Sequence, residues 1–147
     1  MTEPKISRLI TDVIAHIKTL NADGKIQPGL KGCSEWTHRG LLSVFPYVIV
    51  TANAESGDDG DSQDVEAVLS INVHTQGGKP ENLAPQTRKL AWSIKKQLDF
   101  HDGRWGGAHL YWQNTTYHGW FKDDVPTNAP EGWAILTFRA AYKENIE

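Results

Sequence analysis

The first apolar residues of the chain recur at helical spacing. Between residues 4 and 20 they stand three or four positions apart, which places them along one side of a helix. The residues of this stripe are Ile6, Leu9, Ile10, Val13, Ile14, Ile17 and Leu20. Pro4 suits a first helical turn, and the sequence NADG at 21–24 supplies the glycine expected after a last turn. The pattern therefore predicts an amphipathic helix with both ends marked.

Two segments on either side of an acidic stretch have the pattern of β-strands. Residues 45–54, FPYVIVTANA, are almost continuously apolar, which is typical of a buried strand. From residue 65 to residue 74 apolar and polar residues largely alternate, which predicts a strand with one face in the core. The stretch between them, ESGDDGDSQD at 55–64, contains Gly57 and Gly60, which favour a turn. We expect two antiparallel strands joined by an acidic hairpin connection.

A second helix is predicted within residues 77–103, GGKPENLAPQTRKLAWSIKKQLDFHDG, a segment with glycines before and after. Its apolar stripe consists of Leu83, Leu90, Ala91, Ile94 and Leu98. Pro85 is compatible with this helix only in or near the first turn. Trp92 falls on the side opposite the stripe, alongside Arg88, Lys95 and Asp99, at 100° of rotation per residue. We expect its indole to be exposed in an isolated monomer.

The remaining segments predict two further strands. Residues 108–121 are rich in aromatic residues and threonine and favour a strand with a bend or bulge at Gly119. Residues 133–143 alternate between apolar and polar positions, and residues 25–43 contain at most a short strand or turn. The order α-β-β-α-β-β predicts a single α+β domain over residues 1–147, with an antiparallel or mixed sheet of about four strands covered by two amphipathic helices.

Charge is concentrated in one segment of the chain. The formal net charge is -3, but residues 55–66 contain six acidic residues and no basic residue, so the rest of the chain has a surplus of bases. Apart from short groups such as Arg88, Lys89, Lys95 and Lys96, there is no clustered basic patch of the kind that stable DNA binding needs. The single cysteine excludes an internal disulfide. With no long apolar run and no signal-like start, we expect a soluble protein without an export signal.

The acidic segment does not match a known metal-binding loop. An EF-hand loop that begins at Asp59 would have Asp64 where glycine is required and Ser70 where a bidentate glutamate is required. Glycines and serines among the acids indicate solvent exposure, which disfavours a buried acid pair for hydrolysis. We interpret Asp58, Asp59, Asp61 and Asp64 as acids of a hairpin tip, and we expect no metal site.

No other motif predicts catalysis. The six histidines lack zinc-ligand spacing, and the chain has no phosphate-binding loop, dinucleotide fingerprint or GxSxG nucleophile elbow. Cys33 and His38 would act as nucleophile and base only if the fold brought them together. We expect no cofactor and no enzymatic activity. A small hydrolase that uses Cys33 or the aspartates, and a monomeric module that binds a small ligand, stay open as alternatives.

The aromatic side chains expected at the surface are the feature least accounted for by a protein that acts as an isolated monomer. Large rigid side chains are enriched at protein interfaces, because they bury much area for little loss of rotamer freedom. The candidate interface residues are Trp92, Arg88, Lys95, Trp112, Tyr117, Trp120 and Phe121.

In element order and size, the chain resembles the tail terminator and tail completion proteins, which join head to tail, of long-tailed bacteriophages. The resemblance spans nearly the whole chain and rests on five segments rather than on a diagnostic motif. These segments are ISRLITDVIAHIKTL, PYVIVTANA, VEAVLSINVHTQ, PQTRKLAWSIKKQL and GWAILTFRAAYKE.

The resemblance implies a structural virion protein without enzymatic activity. Such subunits assemble as a homo-oligomeric ring, typically hexameric, that caps the tail tube and meets the neck. The implied partners are further copies of the chain, the tail tube protein and a neck or connector protein, while DNA only passes through the lumen. The implied location is the virion tail or neck, after synthesis in the host cytoplasm. Residues 25–43 and 122–131 are the candidate docking segments, and the acidic hairpin faces either the lumen or the outside.

Overall fold

A computed structural model describes residues 4–35, 44–58, 61–77, 80–99, 108–120 and 131–143. Two helices and five strands follow one another along the chain. They are α1 (Lys5–Ala22), β1 (Gly32–Ser34), β2 (Tyr47–Asp58), β3 (Asp61–Gln76), α2 (Pro80–Leu98), β4 (His109–Trp120) and β5 (Glu131–Lys143). The predicted α+β class is confirmed.

The five strands form one mixed sheet in the order β1-β2-β3-β5-β4. β1 runs parallel to β2, and the other three pairings are antiparallel. The sequence predicted about four strands, and the additional strand is the three-residue β1. Its Gly32 lies directly against the ring of Tyr47, where a Cβ atom would come within 2.2 Å of Cε2. Any side chain at position 32 would therefore clash with the Tyr47 ring.

Both helices pack on one face of the sheet. Val50, Ile71 and Leu136 are neighbours on adjacent strands and are at most 1% exposed. The inward stripes predicted for β3 and β5 and most of those predicted for the two helices are buried in the same core. Each large apolar side chain in such a core contributes about 1.5–3 kcal/mol to folding. The apolar residues at period-two spacing in the strands and at helical spacing in the helices therefore pack together in one layer.

Five of the six acidic residues of this segment lie in paired strands rather than in a loop, and Asp59 lies outside the described residues. β2 continues to Asp58 and β3 begins at Asp61, so only residues 59 and 60 join them. The prediction of an antiparallel hairpin is confirmed, but its connection is shorter than the predicted 55–64. Backbone hydrogen bonds hold the two strands together in this ribbon, and they form whether or not the side chains are apolar.

Two local irregularities also differ from the prediction. Pro85 lies beyond the first turn of α2, because the helix begins at Pro80. The bulge in β4 falls between Trp112 and Asn114 rather than at Gly119. The extra residue shifts the alternation, so that Trp112 and Thr115 both lie on the helix-covered side of the sheet. Among the described helices, none is long and apolar enough to cross a membrane.

Candidate functional site

The solvent side of α2 is basic and carries an exposed tryptophan. We call Arg88, Lys89, Trp92, Lys95 and Lys96 the α2 ridge. Residues 82–98 contain these four bases and no acid. The opposite side of α2 is tied to the rest of the molecule by buried apolar residues, so the ridge faces outward. The sequence pattern predicted this arrangement.

Trp92 is the most exposed large apolar residue of the described chain, at 58%. The Lys96 ammonium lies 4.4 Å from the centroid of its ring, in a cation–π contact. Such a contact at an exposed site contributes about 0.5–1 kcal/mol. It orients the indole on the ridge but leaves more than half of its surface in water, as predicted for an isolated monomer.

Trp112 has a different environment, because it holds the end of α2 against β4. The Lys95 ammonium lies 3.6 Å from its ring centroid. Its backbone N–H donates to Asp99 Oδ1 at 2.9 Å, and its indole N–H donates to Thr115 Oγ1 at 2.9 Å. The side chain is half-buried beside the core. Much of its surface is therefore already used within the subunit.

The other predicted interface residues lie in or after β4, the last strand of the sheet. Tyr117 is 48% exposed, and Tyr111, which the sequence did not single out, is 41% exposed. Tyr111 pairs with Arg139 and Tyr117 with Ala134, so the bulge places the two tyrosines on opposite faces. Phe121 and the side chain of Trp120 lie outside the described residues. The structure thus brings Lys95 against Trp112, while Trp92 contacts Lys96 and Tyr117 lies further along β4.

At the base of the acidic hairpin, which we define as residues 55–66, three acids have partners within the subunit. Glu66 forms an ion pair with Arg139, and the Lys143 ammonium lies 3.9 Å from Asp64. The Tyr142 hydroxyl donates to a carboxylate oxygen of Glu55 at 2.7 Å. Nearer the tip, Asp58 and Asp61 stand directly opposite each other in the strand register. The hairpin acids whose side chains the structure describes are therefore each engaged within the subunit.

An aromatic row on the face of the sheet opposite the helices was not predicted. Tyr47, His74, Trp133 and His118 are successive partners across β2, β3, β5 and β4. The ring centroids of His74 and Trp133 are 5.5 Å apart, and those of His118 and Trp133 are 4.9 Å apart. The four residues are far apart in sequence, and only the strand register brings them together.

Cys33 lines a small cavity of about 220 Å³, together with Lys18, Asn21 and Leu30. Burial raises the pKa of its thiol to about 12, although the nearby Lys18 charge acts in the opposite direction. The thiol is therefore protonated at neutral pH, whereas a cysteine nucleophile needs the thiolate. His38, its hypothetical base, lies outside the described residues.

Two further features bear on ligand binding. A cleft of about 450 Å³ near the hairpin base is lined by Asp64, Glu66, His109, Tyr142 and Lys143, among others. It is bordered by charges that already pair with each other, Asp64 with Lys143. Within the described residues, no group of three or more histidine, cysteine or acidic side chains is arranged to hold a metal ion.

The docking segments named above fall largely outside the described ranges. Of residues 25–43 the structure describes the portion up to residue 35, and of residues 122–131 it describes only Glu131. Comparison with models of known protein families gave no match, and no curated protein matches the sequence.

Proposed function

We propose that this chain is a structural subunit of a bacteriophage virion. In this proposal it forms a ring, typically of six copies, that caps the tail tube and joins it to the head or neck. Its partners are further copies of itself, the tail tube protein and a neck protein, and its place is the virion. The resemblance of the element order to tail terminator and tail completion proteins supports the proposal.

The observation that carries the assembly role is the exposure of Trp92. A tryptophan that is 58% exposed leaves a large apolar area in water, and burial of such area provides about 25 cal/mol per Å². Interface hot spots are enriched in tryptophan, tyrosine and arginine, and Trp92 lies one helical turn from Arg88. A surface of this kind fits a subunit that is completed by contact with another protein.

Of the enzymatic alternatives, the cysteine hydrolase is the one on which the structure bears most directly. A catalytic thiol needs a pKa near or below the working pH, and burial moves that of Cys33 to about 12. We therefore favour a structural role over nucleophilic catalysis by this residue.

The test is the assembly state of the purified protein, alone and with the tail tube protein of the same virus. Trp92→Asp should abolish the ring in native mass spectrometry and electron microscopy while leaving the circular dichroism spectrum unchanged. Gln86→Asp adds the same charge on another exposed side of α2 and should retain the ring. The proposal fails if the wild-type chain stays monomeric in the presence of the tube protein and if heads still join tails when this chain is absent.

A further inference from the structure

The outer edge of β4 has few of the features that keep edge strands from pairing with other chains. β4 is the last strand of the sheet, and no described strand pairs with its far side. Its sequence, HLYWQNTTYHGW, contains no lysine, arginine, acidic residue or proline. Natural edge strands are usually protected by such residues, by bulges or by a covering segment. Of these devices β4 has a bulge after Trp112, and the strand continues beyond it.

The open part of the edge consists of residues 113–118. At Trp112 the edge is closed, because the backbone N–H donates to Asp99 Oδ1 at 2.9 Å. From residue 113 to residue 118 every side chain except that of Thr115 is exposed. Tyr117 lies on the helix side of the sheet, since it pairs with the buried Ala134, yet it is 48% exposed. The helix layer therefore leaves this stretch uncovered.

One side of α2 faces this edge. At 100° per residue, that side of the helix carries Arg88, Trp92, Lys95 and Asp99. Two of these residues contact β4. The Lys95 ammonium lies 3.6 Å from the centroid of the Trp112 ring, and Asp99 binds the Trp112 backbone. Trp92 and Arg88 therefore lie on the β4 side of the helix.

Trp92 is level with the open part of the edge. Near the start of α2, Thr87 packs beside Gly132, which pairs with Gly119 of β4. The other end of the helix lies at Trp112, so α2 runs antiparallel to β4. Trp92 is five residues after Thr87, about 8 Å along a helix that rises 1.5 Å per residue, and so lies between these two levels. Its indole stands beside the open part of the edge.

We call the space between Arg88 and Trp92 of α2 and residues 113–118 of β4 the β4 groove. Trp92 is 58% exposed, and Tyr117 is 48% exposed. An open strand edge presents alternating N–H and C=O groups, which match the backbone of another extended chain. The groove therefore offers backbone pairing along β4 and an aromatic surface for the side chains of the added strand.

The charge of the groove is positive. The α2 ridge supplies four bases, and no acid occurs in residues 82–98. Asp99, at the closed end of the groove, already accepts the Trp112 N–H. Opposite charge guides a partner to its site, whereas like charges disfavour the wrong one. Pairing of β4 with β4 of a second copy would bring two basic ridges together, so the groove favours an acidic strand from a different protein.

We infer that the β4 groove binds an extended, acidic segment of a partner protein, which adds to the sheet as a further strand. Its backbone pairs with residues 113–118, and its apolar side chains pack on Tyr117 and Trp92. A carboxylate of the segment pairs with Arg88. This inference deepens the proposed function, on which the identity of the partner as a tail tube or neck protein rests.

The probe is a fluorescein-labelled heptapeptide with threonine at its odd positions and leucine, valine and glutamate in turn at its even positions. These three side chains lie on one side of an extended chain. Fluorescence anisotropy in low-salt buffer should show binding, and lysine in place of the peptide glutamate should weaken it about fivefold. Arg88→Glu should reverse this preference. Arg8→Glu, an equal charge change at an exposed position of α1, is the matched control and should retain it.

Strand addition has its own signature, because only one edge of the peptide pairs with β4. The N–H groups of alternate residues point to the same edge of a strand. N-methylation of the odd residues or of the even residues should therefore abolish binding in one case and largely preserve it in the other. In NMR spectra the unmethylated peptide should shift the amide resonances of residues 113–118 and the indole N–H resonance of Trp92.

Several results would overturn the inference. It fails if the acidic peptide does not bind at about 1 mM, if the two methylated peptides behave alike, or if Arg88→Glu leaves the preference unchanged. A single-stranded oligonucleotide that displaces the peptide would assign the groove to nucleic acid. A wild-type dimer in which the amides of residues 113–118 are protected from hydrogen exchange would assign it to a second copy.

Native mass spectrometry of the same preparations, with the tube protein added, separates this inference from the proposed ring. Peptide binding without ring assembly would refute the ring and leave the β4 groove standing. Rings without peptide binding would refute the groove alone.

Discussion

Gly132 occupies a position in β5 where no side chain fits. A Cβ atom there would lie 2.3 Å from Thr87 Oγ1 and 2.6 Å from Thr75 Oγ1. The Thr87 hydroxyl donates to the carbonyl oxygen of Leu83 at 2.8 Å, and the Thr87 and Thr75 hydroxyl oxygens are hydrogen-bonded to each other at 2.7 Å. These buried hydroxyls connect α2 to β3. The glycine thus makes room for a polar link between the helix and the sheet.

Gly132→Ala should therefore destabilise the protein. Inserting a methyl group into a packed site typically costs about 1–3 kcal/mol, and here it also separates two hydrogen-bonded hydroxyls. Urea denaturation followed by tryptophan fluorescence measures the loss. Gly29→Ala is the control, because its Cβ would meet only Asn21 Oδ1, at 3.7 Å. If the two variants are equally stable, the surroundings of Gly132 accommodate a methyl group without loss of stability.

At the scale of elements, α2 contains a proline where a helix normally has a hydrogen bond. Pro85 is the sixth residue of the helix. It has no backbone N–H to donate, and its ring crowds the carbonyl oxygen of the preceding turn. Pro80, at the first helical position, has neither disadvantage. The two prolines therefore contribute oppositely to the same helix.

Pro85→Ala should raise the free energy of unfolding by about 1–3 kcal/mol, because the helix regains one hydrogen bond and loses a steric conflict. Pro80→Ala should leave it unchanged or lower it slightly. Thermal unfolding of both variants by circular dichroism measures the difference. A fall in stability for Pro85→Ala would mean that the proline restricts the unfolded chain more than it disturbs the helix.

The elements that the sequence predicted correctly are those defined by periodicity. The stripe from Leu9 to Leu20 and the alternation in β3 and β5 are patterns of burial along a single segment. The bulge at Trp112, the strand β1 and the aromatic row depend on which segments become neighbours. Such contacts join residues that are distant in sequence, so local patterns do not determine them. Exposure of Trp92 was predictable because one helix geometry decides it.

At the scale of the whole molecule, the separation of acidic from basic residues is not explained by the apolar packing that stabilises the fold. Apolar burial organises one face of the sheet, whereas the acidic hairpin and the α2 ridge contribute little to that core. Exposed ion pairs such as Asp64 with Lys143, 3.9 Å apart, are worth about 0–1 kcal/mol. A charge pattern that adds little to folding is available for binding.

Replacing Asp58, Asp59, Asp61 and Asp64 with asparagine should accordingly leave the fold intact. Relief of the repulsion between Asp58 and Asp61, which are opposed in register, should stabilise the chain by about 0.2–1 kcal/mol in low salt, and the gain should disappear when salt screens the charges. Asp64→Asn alone is the control, because it removes only the exposed pair with Lys143. Urea titrations at two salt concentrations measure both effects. A loss of more than about 2 kcal/mol in the fourfold variant would instead mean that these carboxylates hold the folded hairpin together.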